Sequence, residues 1–282
     1  MMRLVCVGLV NVDLMLGEAE VRQPGGNLSH VAVALRGVVG NRYDIGLCAV
    51  IGQGFSFLDV FNGFDTEGFT YVEEPATVVT FSTATGQPRF RSISNRDALT
   101  GKLRIPETYA STQAAFVGAI DVNSMTSALR GLNAADVVVV NYSPWVGVRE
   151  FSEAVQGNAV VLVLNRHELA EHFEGIAPES LRASLNCRAI VITKDHDGFE
   201  VIGSEGRITG RAPPVSMKWK YGAGAIFGSR LALGLADGLS MRSAAATACA
   251  LASCYVAHGP IDFAPSRWEL EEAERHVYDS TL

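Results

Sequence analysis

The chain has 282 residues, of which 48% are hydrophobic and 19% are charged. This composition is typical of a soluble globular protein with a large hydrophobic core, and it excludes a disordered or collagen-like chain. The net charge of −7 argues against nucleic acid as the main partner, because no run of lysine and arginine would follow a phosphate backbone.

Short, almost continuous apolar segments recur along the chain, and helix-like segments alternate with them. The predicted strands cover residues 3–10, 46–51, 114–120, 136–141, 159–164 and 188–193. The predicted helices cover residues 26–37, 123–132, 147–157 and 178–185, with a surface helix at 265–278. Strands that are apolar on both faces are typical of a parallel sheet buried between helices. The pattern predicts an α/β fold with a doubly wound, mostly parallel sheet flanked by helices, in a single domain over residues 1–282.

Residues 77–93 interrupt this alternation. Two segments with period-2 alternation flank a Thr-Gly-Gln-Pro turn, which predicts a β-hairpin carrying Arg89 and Arg91. The hairpin is either a flap whose arginines bind substrate or a plain edge hairpin. An unpaired hairpin edge would also allow the chain to form a homodimer.

The chain shows no sign of export or of membrane insertion. Its cysteines are odd in number and lie scattered in apolar segments, which favours reduced core thiols in a cytoplasmic protein. They are Cys6, Cys48, Cys187, Cys249 and Cys254. Asn11 and Asp13 interrupt the apolar N-terminal segment too early for a secretory signal. Arg230, Asp237 and Arg242 interrupt the alanine- and leucine-rich segment before the roughly 20 residues that a membrane span needs.

Two polar motifs lie in the first 30 residues. Asn11 and Asp13 are predicted at the end of the first strand, two residues apart and therefore on one face, where they either bind sugar hydroxyls or form a turn. Gly25, Gly26 and Asn27 precede a predicted helix. The glycines would allow close approach of a ligand, and Asn27 is either a ligand contact or only an N-cap.

Two more motifs lie in the second half of the chain. Asn165 and Glu168 share a face of a predicted first helical turn, where Glu168 either holds magnesium or completes a capping box. Gly222, Ala223 and Gly224 place consecutive backbone N–H groups at a helix N-terminus, which is the usual way for a protein to bind an anion. Neither P-loop spacing nor a dinucleotide fingerprint is present in the sequence.

Taken in order, these motifs resemble those of the ribokinase-like (PfkB) family of carbohydrate and nucleoside kinases. They lie at residues 8–13, 25–27, 165–168, 193–198 and 222–225. The resemblance implies an ATP-dependent kinase that uses Mg²⁺ and phosphorylates a sugar or a nucleoside. It also implies a ribokinase-like sheet with a small β lid, most of which the hairpin at 77–93 would supply.

The resemblance also implies roles for individual residues. The acceptor hydroxyls would be bound by Asn11, Asp13, Gly25, Gly26 and Asn27, with Arg89 and Arg91 above them. Asn165 and Glu168 would serve magnesium and phosphate, Thr193, Asp195 and Gly198 would lie along the nucleotide, and Gly222, Ala223 and Gly224 would form an anion hole.

One departure from the family concerns the catalytic base. In the family an aspartate follows the Gly-Ala-Gly motif and takes the proton from the attacking hydroxyl, whereas this chain has Ala225. The chain is either an enzyme whose aspartate was replaced or a natural, non-catalytic pseudokinase. We favour the replaced aspartate because the other motifs are intact. A kinase with a replaced aspartate should bind both ligands but turn over poorly, whereas a pseudokinase would bind a metabolite or a partner without catalysis.

Two further departures lie beside the phosphates. Trp219, Lys220 and Tyr221 stand where the family often has Asp-Thr-Thr, so the acidic residue of a monovalent cation site is missing. Lys220 either supplies positive charge near the phosphates or is simply exposed. Asp195 stands where relatives commonly have glycine, and the phosphate-side loop is therefore expected to differ.

Overall fold

The computed structural model describes residues 2–39, 44–83, 88–95, 97–157, 159–204 and 206–280. The strands, in chain order, are β1 (Leu4–Val7), β2 (Asn11–Leu16), β3 (Glu20–Gly25), β4 (Ile45–Gln53), β5 (Asp65–Pro75), β6 (Thr77–Ser82), β7 (Arg89–Ser94), β8 (Ala114–Val117), β9 (Val137–Asn141), β10 (Val160–Asn165), β11 (Ala189–Thr193), β12 (Phe199–Gly203) and β13 (Gly206–Gly210). The helices are α1 (Asn27–Val39), α2 (Val122–Gly131), α3 (Val148–Ala154), α4 (Arg166–His172), α5 (Pro178–Leu185), α6 (Ala223–Ala236), α7 (Met241–His258) and α8 (Arg267–Asp279).

Within these residues the strands form a nine-stranded sheet and a separate four-stranded sheet. The large sheet has the order β13-β12-β11-β10-β9-β8-β1-β4-β5. Neighbouring strands of this sheet pair in parallel, except that β12 pairs antiparallel with both β11 and β13. The predicted doubly wound, mostly parallel sheet is confirmed, and every predicted strand and helix overlaps an observed one.

Helices cover the large sheet on both faces. Leu4 and Cys6 of β1 point into a core shared with α1, α6, α7 and α8, while Val5 and Val7 point into a second core shared with α2, α3 and α5. All four side chains are 0% exposed. Because both faces are covered, the strand is an uninterrupted apolar run rather than an alternating one.

The small sheet has the order β3-β2-β6-β7. β6 and β7 pair antiparallel where the alternation places a hairpin, although part of the expected turn, residues 84–87, lies outside the described residues. The expectation that this hairpin supplies most of the small sheet is wrong, because β2 and β3 supply half of its strands. Residues 17–19 are enough to connect two six-residue antiparallel strands.

The position of Asn11 and Asp13 also differs from the prediction. The first strand ends at Val7, where the Gly8 amide donates to the Cys48 carbonyl and the Gly118 amide donates to the Val7 carbonyl. The chain then leaves the large sheet, and Asn11 begins β2. The two polar residues therefore belong to the small sheet and not to the tip of the large one.

Two expectations from composition can be compared with the structure. In the part of the chain that the structure describes, no helix is both long and apolar enough to cross a membrane. All five cysteines are free and buried, which agrees with their placement in apolar segments.

Candidate active site

A buried polar cluster lies on one face of the small sheet. Asp13 is the cross-strand neighbour of Gln23, and the Asn11 side-chain amide donates to Asp13 Oδ1 over 2.7 Å. These three side chains are only 2–5% exposed. Among the described residues, Asp13 Oδ2 and Gln23 Nε2 have no hydrogen-bond partner. Buried polar atoms normally have one, so these two atoms are free to accept from and donate to a further polar group.

Gly25 makes room for this cluster. It pairs with Asn11 across the sheet, and a Cβ atom at this position would overlap the Asp13 carboxyl and the Asn11 amide. The predicted close approach at Gly25 is thus made by the protein's own carboxyl group. Gly26 follows it at the start of α1.

His30 joins the polar cluster to the helices, although the sequence analysis does not identify it. Its Nδ1 lies 2.7 Å from the Tyr255 hydroxyl, and its Nε2 lies 3.9 Å from Asp13 Oδ2. Burial raises the pKa of Asp13 to about 7, against the opposing effects of the hydrogen bond from Asn11 and of the neighbouring Gln23 amide. Burial lowers the pKa of His30 to about 4. The one signal in the sequence was a lone histidine in an otherwise apolar helix face.

The Asn27 side chain ties together two loops at the edge of the large sheet. Its Oδ1 accepts from the Leu9 amide over 2.6 Å, and its Nδ2 donates to the Ala119 carbonyl over 3.0 Å. Helix α1 begins at Asn27 itself, so this residue is not the N-cap that the sequence suggests. After these two bonds, one lone pair on Oδ1 and one N–H of Nδ2 are still available to a ligand.

The N-terminus of α6 is open toward solvent. Its N-cap, Gly222, has a left-handed φ of 87° and supplies no capping side chain. The Ala223 amide donates to the Lys220 carbonyl over a long 3.5 Å, and the amides of Gly224 and Ala225 have no helical carbonyl four residues before them. Gly224 is exposed, whereas Ala225 is buried and presents only a methyl group. The accessible amides give this helix end the properties of an anion site.

His30 also contacts the start of α6. A Cβ atom placed on Gly222 would lie 2.6–2.9 Å from three carbon atoms of His30. A glycine is therefore required here both for its positive φ and for this close packing. The polar cluster and the helix N-terminus are joined through one imidazole ring.

Aromatic side chains cover the polar cluster. Trp219 is 7% exposed, with ring centroids 5.8 Å from Phe81 of the small sheet and 6.4 Å from His30. The Tyr221 hydroxyl accepts from the Phe90 amide over 3.1 Å. These contacts hold the small sheet against the segment before α6. Asp13 itself is only 2% exposed.

The basic residues near this cover are exposed. Lys220 lies with its Nζ 5.4 Å from the Tyr221 ring centroid, a cation–π contact at the surface. Arg89 pairs with Ser82, whereas Phe81 pairs with Phe90, so Arg89 lies on the face of the hairpin opposite to Phe81. Arg91 is exposed as well. The hairpin therefore turns aromatic rings, and not Arg89, toward the cluster.

Polar residues end three neighbouring strands of the large sheet. Asn141 is the neighbour of Val163 across β9 and β10, and Asn165 is the neighbour of Thr193 across β10 and β11. Asn141, which the sequence analysis does not select, has a buried Oδ1 without a partner among the described residues. Its Nδ2 would lie 3.7 Å from a Cβ atom on Gly224. The polar end of VVVVN was the available signal.

Asn165 and Glu168 form the capping box that the sequence leaves as an alternative. Asn165 Oδ1 accepts from the amides of His167 and Glu168 over 2.9 Å, and Glu168 Oε2 accepts from the Asn165 amide over 2.7 Å. Burial raises the pKa of Glu168. Glu168 Oε1 is the oxygen left for a magnesium ion. No group of three or more metal-ligating side chains occurs in the described ranges.

Two aspartates in the turn between β11 and β12 pair with an arginine of α4. Arg166 lies 2.8 Å from Asp197 and 3.4 Å from Asp195. Asp195 has a φ of +53°, the left-handed conformation that glycine adopts without strain. Gly198 ends this turn. The expected difference in the phosphate-side loop is thus a carboxylate held in a conformation typical of glycine.

A pocket of about 170 Å³ opens near the carboxyl ends of β1 and β8, on the α2 side of the large sheet. Leu9, Leu99, Ile120, Asp121 and Trp145 contribute to its wall. Gly8, the first residue of the motif at residues 8–13, lines this pocket. The residues to which a site role is assigned from the sequence do not line it.

Known proteins resemble the chain in structure alone. No protein-family model matches the sequence, and no curated protein matches it. A nucleoside kinase of the ribokinase family from Methanocaldococcus jannaschii matches with a TM-score of 0.80 at 15% identity, over 98% of each chain. Ribokinase from Thermotoga maritima matches with a TM-score of 0.77 at 18% identity, over 98% of this chain and 100% of that one.

A third solved structure carries ligands. It is a protein assigned as ribokinase II from E. coli, in complex with ATP and Mg²⁺, which matches with a TM-score of 0.78 at 14% identity, over 98% of this chain and 99% of that one. At these identities the likeness establishes the ribokinase fold for this chain.

Proposed function

We propose that this chain, which has the ribokinase fold, is a phosphotransferase scaffold that binds ATP and a hydroxyl-bearing sugar, nucleoside or sugar-like metabolite. The observation that carries the proposal is the direct contact of His30 with both halves of the site. On one side His30 approaches the Asp13 carboxyl, and on the other it packs against Gly222 at the open end of α6. An acceptor hydroxyl held by Asp13 would therefore lie beside a group that binds phosphate.

The polar cluster has the right chemistry for a hydroxyl group. A hydroxyl both donates and accepts hydrogen bonds. Asp13 Oδ2 can accept, Gln23 Nε2 can donate, and both atoms are buried without partners in the described part of the chain. The small sheet would act as a lid within a single domain, opening where Trp219 and Tyr221 meet the hairpin.

The phosphate side rests on backbone amides and one carboxylate oxygen. The amides of Ala223, Gly224 and Ala225 would hold the terminal phosphate of ATP at the positive end of the α6 dipole. Glu168 Oε1 would hold magnesium through water, since Mg²⁺ is usually bound by one or two carboxylates together with phosphate oxygens. The bound ATP and Mg²⁺ of the E. coli protein support this assignment.

Ala225 then limits the rate. Ala225 is the third residue of α6, and its methyl group cannot accept a proton. General-base assistance typically raises the rate by about 10²- to 10⁴-fold. Restoring a carboxylate with Ala225→Asp should raise phosphoryl transfer from ATP by about that factor, with little change in acceptor affinity. Transfer would be measured on a panel of sugars and nucleosides. A revertant as inactive as the parent across the panel contradicts the proposal.

A non-catalytic binding protein is the second candidate. It is favoured by Trp219 and Tyr221, which cover the cluster, and by the missing carboxylate at position 225. Isothermal titration of acceptors with and without Mg²⁺ and a non-hydrolysable ATP analogue separates the two. A kinase scaffold binds both ligands together, whereas a metabolite sensor binds the acceptor alone.

A further inference from the structure

Asp13 Oδ2 and His30 Nε2 are separated by a gap that one bridging oxygen atom would span. Asp13 Oδ2 and His30 Nε2 are 3.9 Å apart, too far for a direct hydrogen bond. An oxygen atom placed about 2.8 Å from each of them would hydrogen-bond to both. Asp13 Oδ2 is buried and has no partner among the described residues. The gap therefore matches a hydroxyl group that donates to the carboxylate.

The Tyr255 hydroxyl lies beside His30 Nδ1 and can donate to it, which places the proton of the neutral ring on Nε2. If Nδ1 were protonated, the bare Nε2 would face the Asp13 carboxylate, and two acceptors would be opposed. With the Tyr255 hydroxyl donating to Nδ1 over 2.7 Å, the proton is on Nε2 and points into the gap. His30 would then donate to the oxygen of a hydroxyl whose own proton points at Asp13.

We propose that Asp13 is the proton acceptor for the phosphoryl transfer that this chain retains without a carboxylate at position 225, with His30 holding the attacking oxygen. This inference rests on the function proposed above and concerns the same site. Asp13 and His30 would both touch the acceptor. Tyr255 would be a positioning residue that acts through the imidazole.

The proposed step transfers the γ-phosphoryl group of ATP to the acceptor hydroxyl. The acceptor O–H bond breaks, and its proton goes to Asp13 Oδ2. The oxygen lone pair forms a bond to the γ-phosphorus of ATP, and the bond from that phosphorus to the β–γ bridging oxygen breaks, which releases ADP. His30 remains neutral and stabilises the negative charge that develops on the acceptor oxygen.

The surroundings of Asp13 give the step a pH dependence. Asn11 on the same strand, Gln23 on β3, His30 on α1, Val79 on β6 and Tyr255 behind the imidazole face this carboxyl. None of them carries a positive charge at neutral pH, and burial raises the pKa of Asp13 to about 7. The carboxylate is the form that accepts a proton, so turnover of the unmodified chain should rise as the pH increases through about 7.

The test is a double-mutant cycle of Asp13→Asn with Ala225→Asp. If Asp13 takes the proton only when residue 225 cannot, Asp13→Asn should lower kcat at least 10-fold in the unmodified background, which keeps Ala225. It should lower kcat less than 3-fold in the background that carries Ala225→Asp. A residue that only binds the acceptor would raise KM by the same factor in both backgrounds. Equal losses of kcat in the two backgrounds overturn the inference, and so does an unmodified chain no faster than Asp13→Asn.

Two further measurements test the roles of Asp13 and Tyr255 independently of the double-mutant cycle. The pH profile of the unmodified chain needs no variant, and a flat profile between pH 6 and 8 contradicts the inference. Tyr255→Phe should lower kcat in the Ala225 background, while the matched control Tyr142→Phe, which removes another buried hydroxyl, should not. If no variant transfers phosphate and none binds Mg²⁺-ATP, it is the proposed function itself that has failed.

Discussion

Replacing Asp13 with asparagine should change how the stability of this protein depends on pH. Burial moves two pKa values in opposite directions, that of Asp13 from 3.8 up to about 7 and that of His30 from 6.5 down to about 4. Between pH 4 and 6.5 the unfolded chain carries one proton on the imidazole and none on the carboxylate. The folded chain carries one proton on the carboxyl and none on the imidazole. Because the proton counts are equal, the pair contributes no slope to the free energy of unfolding in this range.

Each single variant should show the pH dependence of the free energy of unfolding that the remaining residue of the pair contributes. In Asp13→Asn only the unfolded chain binds a proton between pH 4 and 6.5. The free energy of unfolding should therefore rise by about 1.4 kcal/mol per pH unit, or about 3 kcal/mol over the range. In His30→Asn only the folded chain binds a proton, on Asp13. Stability should then be greatest below the ordinary pKa of Asp13 and should fall by about 4 kcal/mol as the pH rises to about 7.

The assay is urea denaturation at half-unit steps from pH 4 to 8, with each variant plotted as its difference from the unmodified chain. Subtraction removes the contribution of every other titrating group that the variants share. Tyr142→Phe, which removes a buried hydroxyl outside the cluster, should displace the curve without changing its slope. Difference curves for Asp13→Asn and His30→Asn that run parallel to the control would refute the reasoning, since they would show that neither group is perturbed by folding.

Two other variants test the packing around the site. Gly222→Ala should destabilise the protein by about 1–3 kcal/mol, because alanine would adopt a φ of 87° and its methyl group would collide with His30. Gly175→Ala, with a φ of 74° and open space around its Cβ position, measures the backbone strain alone, and equal losses in urea denaturation would show that the collision does not matter. Tyr221→Phe removes the hydroxyl that accepts from the Phe90 amide, so hydrogen exchange of β7 amides should become faster. Unchanged exchange rates would mean that this bond does not hold the small sheet in place.

The elements of the large sheet are readable from local sequence. The apolar residues 137–140 and 189–192 became the middle of strands that are covered on both faces, since none of these side chains needs solvent. The GAGA stretch before an apolar run likewise became a helix N-terminus, because glycine alone tolerates the left-handed conformation at Gly222. These features are set by residues close to one another in sequence. Hydrophobic periodicity and backbone preference can therefore predict them.

Roles that depend on distant residues required the tertiary structure. Asn27 could have been a cap or a ligand contact, and it became a tie between Leu9 and Ala119 because two loops far apart in sequence meet beside it. Asn165 and Glu168 were equally open, and the structure shows that both side chains bond to helix-end amides, while the magnesium role of Glu168 stays a prediction. The local sequence indicates which hydrogen-bond partners a polar side chain could have, and the tertiary structure determines which of them it binds.

The sequence by itself determined the α/β alternation, the hairpin strands, the glycine-rich start of α6 and the missing carboxylate at residue 225. The tertiary structure alone decided that Asn11 and Asp13 leave the large sheet. It also decided that His30 from α1 and Tyr255 from α7 converge on Asp13, and that burial shifts the pKa values of Asp13 and His30 in opposite directions. The physical reason is that periodicity is encoded within a few residues. Desolvation, by contrast, depends on every segment that packs around a charge, wherever it lies in the chain.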